Sequence, residues 1–421
     1  MTQPVRTILV EHGGHGMRNL GDLALLEVAL GRLRSLFPHA TRLVPTHDAR
    51  ALARLDPAAR AVAYRPIERR ALYRLSGAGA ARALACLARD EGGVARALMS
   101  SDLVVAAGGG YLADAFGAFA ARVLGLLDVA QRLGKPTALL GQGLGPATEP
   151  RLRAALARVL PRARVIGLRD GEAGPRLATA LGAAPERVVT TGDDALALAA
   201  AARPSDLGPG LGVNVRLADY ANDAQARGFT AELGRVARTH GAPLVPIVVS
   251  TFPLGHDGPP LAVALDLPVP EPRRVAEVLA AVARCRAVVT GSYHGAVFAL
   301  GQGIPVVGLS GSAYYRDKLV GLARAFPARC RCSTRATPAS AWRSRARSAR
   351  PGPTRRADAP TSSRAPTRWC EPAARRGRAS AAESVVQGSR TRTRRPRTVA
   401  VACAPRMSPR GSRSKALMAT S

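Results

Sequence analysis

The sequence predicts an α/β protein made of two doubly wound parallel-sheet domains in tandem, followed by a disordered basic tail. Three observations predict it. Apolar runs of strand length alternate with helix-length stretches rich in Ala, Leu and Arg through the first 327 residues. A Pro/Gly/Ser-rich break, "AAAARPSDLGPG" at 199–210, interrupts the alternation and reads as a linker. After Pro327 the composition changes abruptly. The expected boundaries are therefore 1–198, a linker 199–210, 211–327, and a tail 328–421.

In the first domain "TILVEH" (7–12) is a strand, followed by a glycine-rich turn and a helix from Leu23 to Phe37. Leu26, Leu30, Leu33 and Phe37 share one face of that helix by their spacing, and Pro38 stops it. Strands follow at "DLVVAAGGG" (102–110), "TALLGQGLGP" (137–146), "ARVIGLRD" (163–170) and "RVVTTGDD" (187–194). The second series comprises "LGVNVR" (211–216), "APLVPIVVS" (242–250), "RAVVTG" (286–291) and "IPVVGLS" (304–310). Near-continuous apolar strands separated by helices indicate parallel sheets covered on both faces. Two such sheets in tandem place a cleft at the carboxyl ends of their strands, where ligands of this architecture bind.

The charge is unevenly spread. Of 61 basic and 29 acidic residues, 23 basic but only 3 acidic ones lie in the last 94. The body is thus moderately basic, which suits an anionic small molecule or peripheral contact with an anionic membrane face. Aromatic content is 4%, and both tryptophans, Trp342 and Trp369, fall in the tail. A nucleic-acid-binding surface needs stacking or basic platforms in the body, so no nucleic-acid partner is expected. Cys86 and Cys285 are the body's two cysteines, with Cys330, Cys332, Cys370 and Cys403 beyond it. Their spacing fits neither a zinc site nor a disulfide framework. The N-terminus lacks the apolar core of a signal peptide, and no stretch reaches the roughly 18 apolar residues needed to span a bilayer. A cytoplasmic protein is expected, to which peripheral contact with the inner face of the plasma membrane is open.

Four strand ends carry unusual residues. In "GGHGMRNLGD" (13–22), Asn19 and Asp22 precede the helix. Asp22 reads either as an N-cap or as a cleft carboxylate able to take a proton. "GGGYLAD" (108–114) brings Gly109 and Tyr111 to a turn where backbone can approach a ligand closely, or merely a bulky neighbour. It is neither a dinucleotide fingerprint nor a phosphate loop. In "GLRDGEAG" (167–174), Arg169 can meet a carboxylate or phosphate with a bidentate fork, or simply pair with Asp170. In "RAVVTGSYHGAVFALGQGIPVVGL" (286–309), His294 stands at a helix N-terminus, among N–H groups that favour anions. Its neighbours Gly291, Ser292 and Gly295 leave little apolar surface to pack a structural histidine. Lys318 follows, one of only three lysines against 58 arginines.

At these residues the sequence resembles the polysaccharide pyruvyl transferase family. The likeness rests on "NLGD", "GGGYLAD", "GQGLGP", "LRDGEAG", "TTGDDAL" and above all "GSYHGAVFALGQGIPVVGLSGSAYYRDKLVGL", ordered from about residue 13 to 325. The resemblance implies a GT-B-like architecture of two Rossmann-like domains facing a cleft. It also implies transfer of pyruvate from phosphoenolpyruvate to the hydroxyls of a saccharide or lipid-linked saccharide, as a cyclic ketal. By resemblance, Arg169, His294 and Lys318 fall on donor-binding positions, flanked by Ser292 and Gly295. Asn19 and Asp22 line the acceptor side, with Gly109 and Tyr111. Ser292 stands where many relatives carry an arginine. The chemistry asks for fixed cations around a phosphate and a carboxylate, an acid for the methylene carbon and a base for the attacking hydroxyl. His294 and Asp22 are the candidates for acid and base, and no metal or redox cofactor is expected. A GT-B glycosyltransferase using a nucleotide sugar is the alternative of shared architecture.

From Ala328 onward there is no Ile, Phe or Tyr, one Leu (Leu417) and four Val. So little apolar area cannot offset the entropy of ordering. The composition also matches a GC-rich gene read out of frame, so the tail is expected to have replaced a native C-terminus. A native basic tail is the other reading.

Overall fold

The first sheet forms around β1 (Thr7–Glu11) and β4 (Leu103–Ala106), which are buried almost throughout and pair in parallel. It extends outward in the order β3 (Ala59–Val62), β2 (Thr41–Pro45), β1, β4, β6 (Thr137–Leu144), β7 (Val165–Leu168), β8 (Val188–Thr190), while β5 (Gly109–Leu112) pairs with β6. Every pairing is parallel. The covering helices are α1 (Leu20–Leu36), α2 (Ala49–Leu55), α3 (Pro66–Arg74), α4 (Gly77–Leu87), α5 (Gly93–Ser100), α6 (Gly117–Arg132), α7 (Pro150–Val159), α8 (Ala173–Ala180) and α9 (Ala195–Ala201). This computed structural model describes residues 4–74, 77–88, 93–215, 235, 237–239, 241–310 and 313–334.

The second sheet runs β10 (Leu244–Pro246), β9 (Gly210–Asn214), β11 (Cys285–Thr290), β12 (Val306–Ser310), β13 (Cys330–Thr334), again all parallel. Its helices are α10 (Gly258–Leu265), α11 (Val275–Ala283), α12 (Tyr293–Gly301) and α13 (Ala313–Ala325). In each sheet the strand order reverses at one point, between β1 and β4 and between β9 and β11. Such a reversal leaves a crevice at the carboxyl ends of the two strands. The loop 12–18 occupies the first and Gly291–His294 the second.

The two halves share one apolar core. Ala195 and Ala199 of α9, Leu26 and Leu30 of α1, Val278 of α11 and Val297 of α12 belong to a single buried cluster. Gly301 allows the close approach: a Cβ there would stand 2.5 Å from the Cβ of Ala199. The loop before α1 adds backbone bonds across the halves, from Leu20 N–H to Val249 O at 2.8 Å and from Thr251 N–H to Arg18 O at 2.8 Å.

The structure differs from the sequence expectation at four places. β2 and β3 are not expected from the sequence, because "TRLVP" and "ARAV" are short, half-buried edge segments without strong alternation. The helix expected from Leu23 begins at Leu20, since Asn19 rather than Asp22 is its N-cap; the Asn19 side chain accepts from the N–H groups of Gly21 and Asp22. The linker read as 199–210 begins inside α9, whose last turn packs on the second half, so the connection spans 202–209. Finally, the tail expected from Ala328 contains β13, which pairs with β12 and buries Cys330. A strand of "CRCST" covers the sheet edge despite its polar composition, because the pairing itself satisfies its backbone groups. Residues 335–421 of the expected tail lie outside the described residues.

Candidate functional site

A cavity of about 350 Å³ opens at the carboxyl ends of both sheets, lined from the first half by the loop 13–19, Gly110 and Arg169, and from the second by His294 and Lys318. Its chemistry centres on Gly110. A Cβ at that position would lie 2.3 Å from Lys318 Nζ, 2.8 Å from Arg169 Nη2 and 3.2 Å from Tyr314 Oη. The two cations, one from each half, thus meet over a residue that must lack a side chain. Gly143 is constrained in the same way, since a Cβ there would stand 2.8 Å from Arg169 Nε.

Arg169 follows β7, and its backbone N–H bonds Gln142 O at 3.0 Å. Its side chain is 5% exposed and pairs with Asp193 at 3.3 Å. The guanidinium carbon sits 4.2 Å from the centroid of Tyr293. Burial works against its charge, but Tyr293 and Asp193, with Tyr314 and Asp22, outweigh burial and hold its pKa above the ordinary value. Lys318, in α13, contacts the hydroxyl of Tyr314, which in turn donates to Gly110 O at 2.7 Å. Burial, and then the Arg169 charge beside it, push the Lys318 ammonium well below its usual pKa; Asp22 and Asp193 oppose this. Two like charges held together with little solvent favour a bound anion.

His294 occupies the first turn of α12 at the second crevice and is 8% exposed. Its ring lies against Gly21 of α1, where a Cβ would fall 2.0 Å from His294 Nδ1. Nε2 faces Asp193 at 4.0 Å. The loop beneath it is fixed by Asn214, which is fully buried. Asn214 Oδ1 accepts from Thr290 Oγ1 and from Ser292 N–H, both at 3.1 Å, while its Nδ2 donates to Asp257 at 3.0 Å and to Ile247 O at 2.9 Å. Ser292 lines the cavity and caps α12, its Oγ accepting from Gly295 N–H at 3.3 Å. Gly295 does not line the cavity; it packs against Thr290, whose Oγ1 a Cβ would meet at 2.7 Å.

On the first half, Asn19 and Asp22 both line the cavity. Asn19 spends its carbonyl on the helix cap, and Asp22 is the carboxylate among the lining residues. Tyr111 also lines the cavity, but its hydroxyl is committed: it donates to Ala107 O at 2.7 Å and accepts from Gln142 Nε2 at 3.0 Å. Gly109 lies beneath that ring, 2.3 Å from Cε1 by its would-be Cβ, and does not line the cavity. Glu11, fully buried, accepts from Gly13 N–H and from His15 Nε2, both at 2.7 Å, and so anchors the loop.

Sequence reading missed Asp193, Asn214, Asp257 and Tyr314. Asp193 stands in "TTGDD" at a strand end, a legible signal. Asn214 and Asp257 come together only through the fold, 43 residues apart. Among the described residues, no group of three His, Cys, Asp or Glu is placed to hold a metal ion, and no helix is long and apolar enough to cross a membrane.

Comparison with known proteins gives a family and a fold. The family model for polysaccharide pyruvyl transferase matches residues 19–312. No curated protein matches. Among solved structures, a Listeria monocytogenes protein described as a UDP-N-acetylglucosamine 2-epimerase shares 14% identity, with 76% of this chain and 82% of that chain covered at a TM-score of 0.50. The UDP-N-acetylglucosamine 2-epimerase of Neisseria meningitidis shares 11%, covering 72% and 82% at 0.48. The glycotransferase of kitacinnamycin shares 13%, covering 91% and 94% at 0.42. The Listeria likeness speaks for a GT-B-like fold and for nothing further.

Proposed function

Because the chain belongs to the polysaccharide pyruvyl transferase family, and is a transferase by that membership, we propose that its donor is phosphoenolpyruvate and its acceptor a saccharide or lipid-linked saccharide. The observation that carries the reading is the convergence of Arg169 and Lys318 on Gly110, beside His294. Phosphoenolpyruvate offers a phosphate and a carboxylate close together, and two cations from opposite walls suit that pair. The planar fork of Arg169 favours two-oxygen contacts, whereas Lys318 acts as a point charge. Either one alone would leave one of the two anionic groups without a facing cation.

In this reading His294 delivers a proton to the methylene carbon of the enol phosphate, which becomes a methyl group. Asp193 balances the imidazolium. An acceptor hydroxyl attacks the adjacent carbon and loses its proton to Asp22. The bond from that carbon to the phosphate oxygen then breaks, and a second hydroxyl closes the ketal. Of the two hydroxyl protons released, one replaces that spent on the methyl group and the other leaves with phosphate. No electrons are exchanged with a further reagent.

His294→Gln tests the reading. With phosphoenolpyruvate and a panel of hexopyranosides as acceptors, the native protein should release phosphate and form pyruvyl ketals visible by mass spectrometry. The variant should fold, and turn over about 10²-fold more slowly, the scale of a lost acid–base group. Unchanged turnover in a folded variant rejects the assignment. Turnover of nucleotide sugars in place of phosphoenolpyruvate rejects the donor.

A further inference from the structure

The chain is poor in aromatic residues, yet they gather at one place. Of its 7 Phe and 7 Tyr, half line the cavity just described. Three of them serve its interior: Tyr111 is pinned by Ala107 and Gln142, Tyr293 stacks beneath Arg169, and Tyr314 joins Gly110 to Lys318. Phe116, Phe119, Phe252 and Tyr315 complete the set. Phe119 and Phe252 are 39% and 46% exposed, and they are the only aromatic side chains among the large hydrophobics left exposed in the described residues. They come from different halves, Phe119 from the first turn of α6 and Phe252 from the loop after β10.

We propose that this rim is a subsite for one pyranose ring of the acceptor, stacked by its C–H face on Phe119 and Phe252. The proposal rests on the pyruvyl-transfer reading for what the sugar does there, not for whether it binds. A single exposed Phe needs no explanation, but a cluster at the mouth of a cavity marks a binding surface. Aromatic faces carry negative charge density and favour C–H edges set against them. A pyranose has such a face, surrounded by hydroxyls that need polar partners. The lining supplies them from Asn19, Asp22 and Ser292, and among the described residues its only aliphatic members are Met17 and Val249. A lipid chain would find aromatic and polar walls where it needs aliphatic ones.

Phe119 and the rings below the rim have partners. Arg122 lies over one face of Phe119, 4.5 Å from the centroid. Phe116 meets Tyr314 edge-on at 5.7 Å, and Tyr314 meets Tyr315 edge-on at 5.4 Å. Through Tyr314 this row of rings ends at Lys318, and Phe119 and Phe252 line the same cavity as Lys318 and Arg169. A volume of about 350 Å³ is at the small end of ligand sites, about 300–1,000 Å³. It suits phosphoenolpyruvate and one ring, with any further sugars outside the mouth.

The test is saturation-transfer NMR on the full chain, irradiating the aromatic protons, with methyl glycosides of the common hexopyranose configurations as probes. Saturation should reach the C–H protons of one face of at least one glycoside. Phe119→Leu and Phe252→Leu should each weaken its binding about three- to tenfold, the scale of an aromatic contact, while phosphoenolpyruvate affinity by calorimetry is retained. Leucine keeps the apolar volume without the ring, so undiminished sugar binding in the leucine variants overturns the stacking. Saturation of no glycoside overturns the subsite, as does a requirement for Phe119 and Phe252 in binding UDP or vesicles of anionic lipid with no glycoside bound. If glycosides are saturated but phosphoenolpyruvate fails to bind, the subsite stands and the donor assignment falls.

Discussion

Gly110 shows how a residue can matter by what it lacks. The glycine run "GGGYLAD" was readable as a place of close approach, but which glycine faces a ligand and which faces a neighbour was not. In the fold Gly109 makes room for Tyr111 and Gly110 for Arg169 and Lys318. The end of β1 lies beside this run, with Ala107 N–H bonded to Glu11 O at 2.7 Å, and contains groups whose charge depends on acidity. Burial, and then the neighbouring His15, lower the His12 pKa from the ordinary 6.5 to about 4. Glu11 is raised by burial, but His15, His12 and the Gly13 N–H overcome that and bring it from 4.5 to about 2. For both groups the unfolded chain takes up the proton first on acidification. The His12 contribution is therefore complete above pH 6.5 and lost as the pH falls towards 4; that of Glu11 is complete above 4.5 and lost towards 2. Each amounts to a few kcal/mol at most, since a tenfold change in proton affinity is worth about 1.4 kcal/mol. Urea denaturation should show stability falling between pH 6.5 and 4.5, and His12→Gln should flatten that fall. A variant as acid-sensitive as the native protein would contradict this origin.

Among the elements, the strand ends carry the site and the buried amides and carboxylates beneath them hold it. The apolar strands and the helix after His294 were legible because their periodicity is local. The partners of Asn214 were not, since Asp257, Thr290 and Ser292 reach it only after β9 and β11 pair. Removing its amide takes one hydrogen bond each from the Thr290 hydroxyl, the Ser292 N–H, the Asp257 carboxylate and Ile247 O. A buried hydrogen bond contributes about 0.5–1.5 kcal/mol net. Asn214→Ala should therefore lower stability by about 2–3 kcal/mol and speed amide exchange at residues 291–295. Unaltered exchange there would mean that α12 alone fixes the His294 loop. Asn19 teaches the same point more simply: a good capping residue stood three places before Asp22, and the cap went to the one whose carbonyl could reach two N–H groups.

At the scale of the molecule, two sheets with different strand orders bring their crevices to one cavity, and an apolar core holds the halves together. The alternation of strands and helices made the tandem architecture legible. The end of the second half was less so, because β13 has the composition of the segment beyond it and is recognisable as a strand only by its partner β12. The convergence of Arg169 and Lys318, 149 positions apart in sequence, depends on that architecture, and a direct measurement is available. Titration calorimetry with phosphoenolpyruvate should give saturable one-site binding to the native protein. Arg169→Met and Lys318→Met should each weaken it at least tenfold, the loss of one charge-assisted contact of about 1.5–3 kcal/mol, and Gly110→Ala should weaken it by displacing both cations. Binding of equal strength in all four proteins, or none in the native one, would contradict the account.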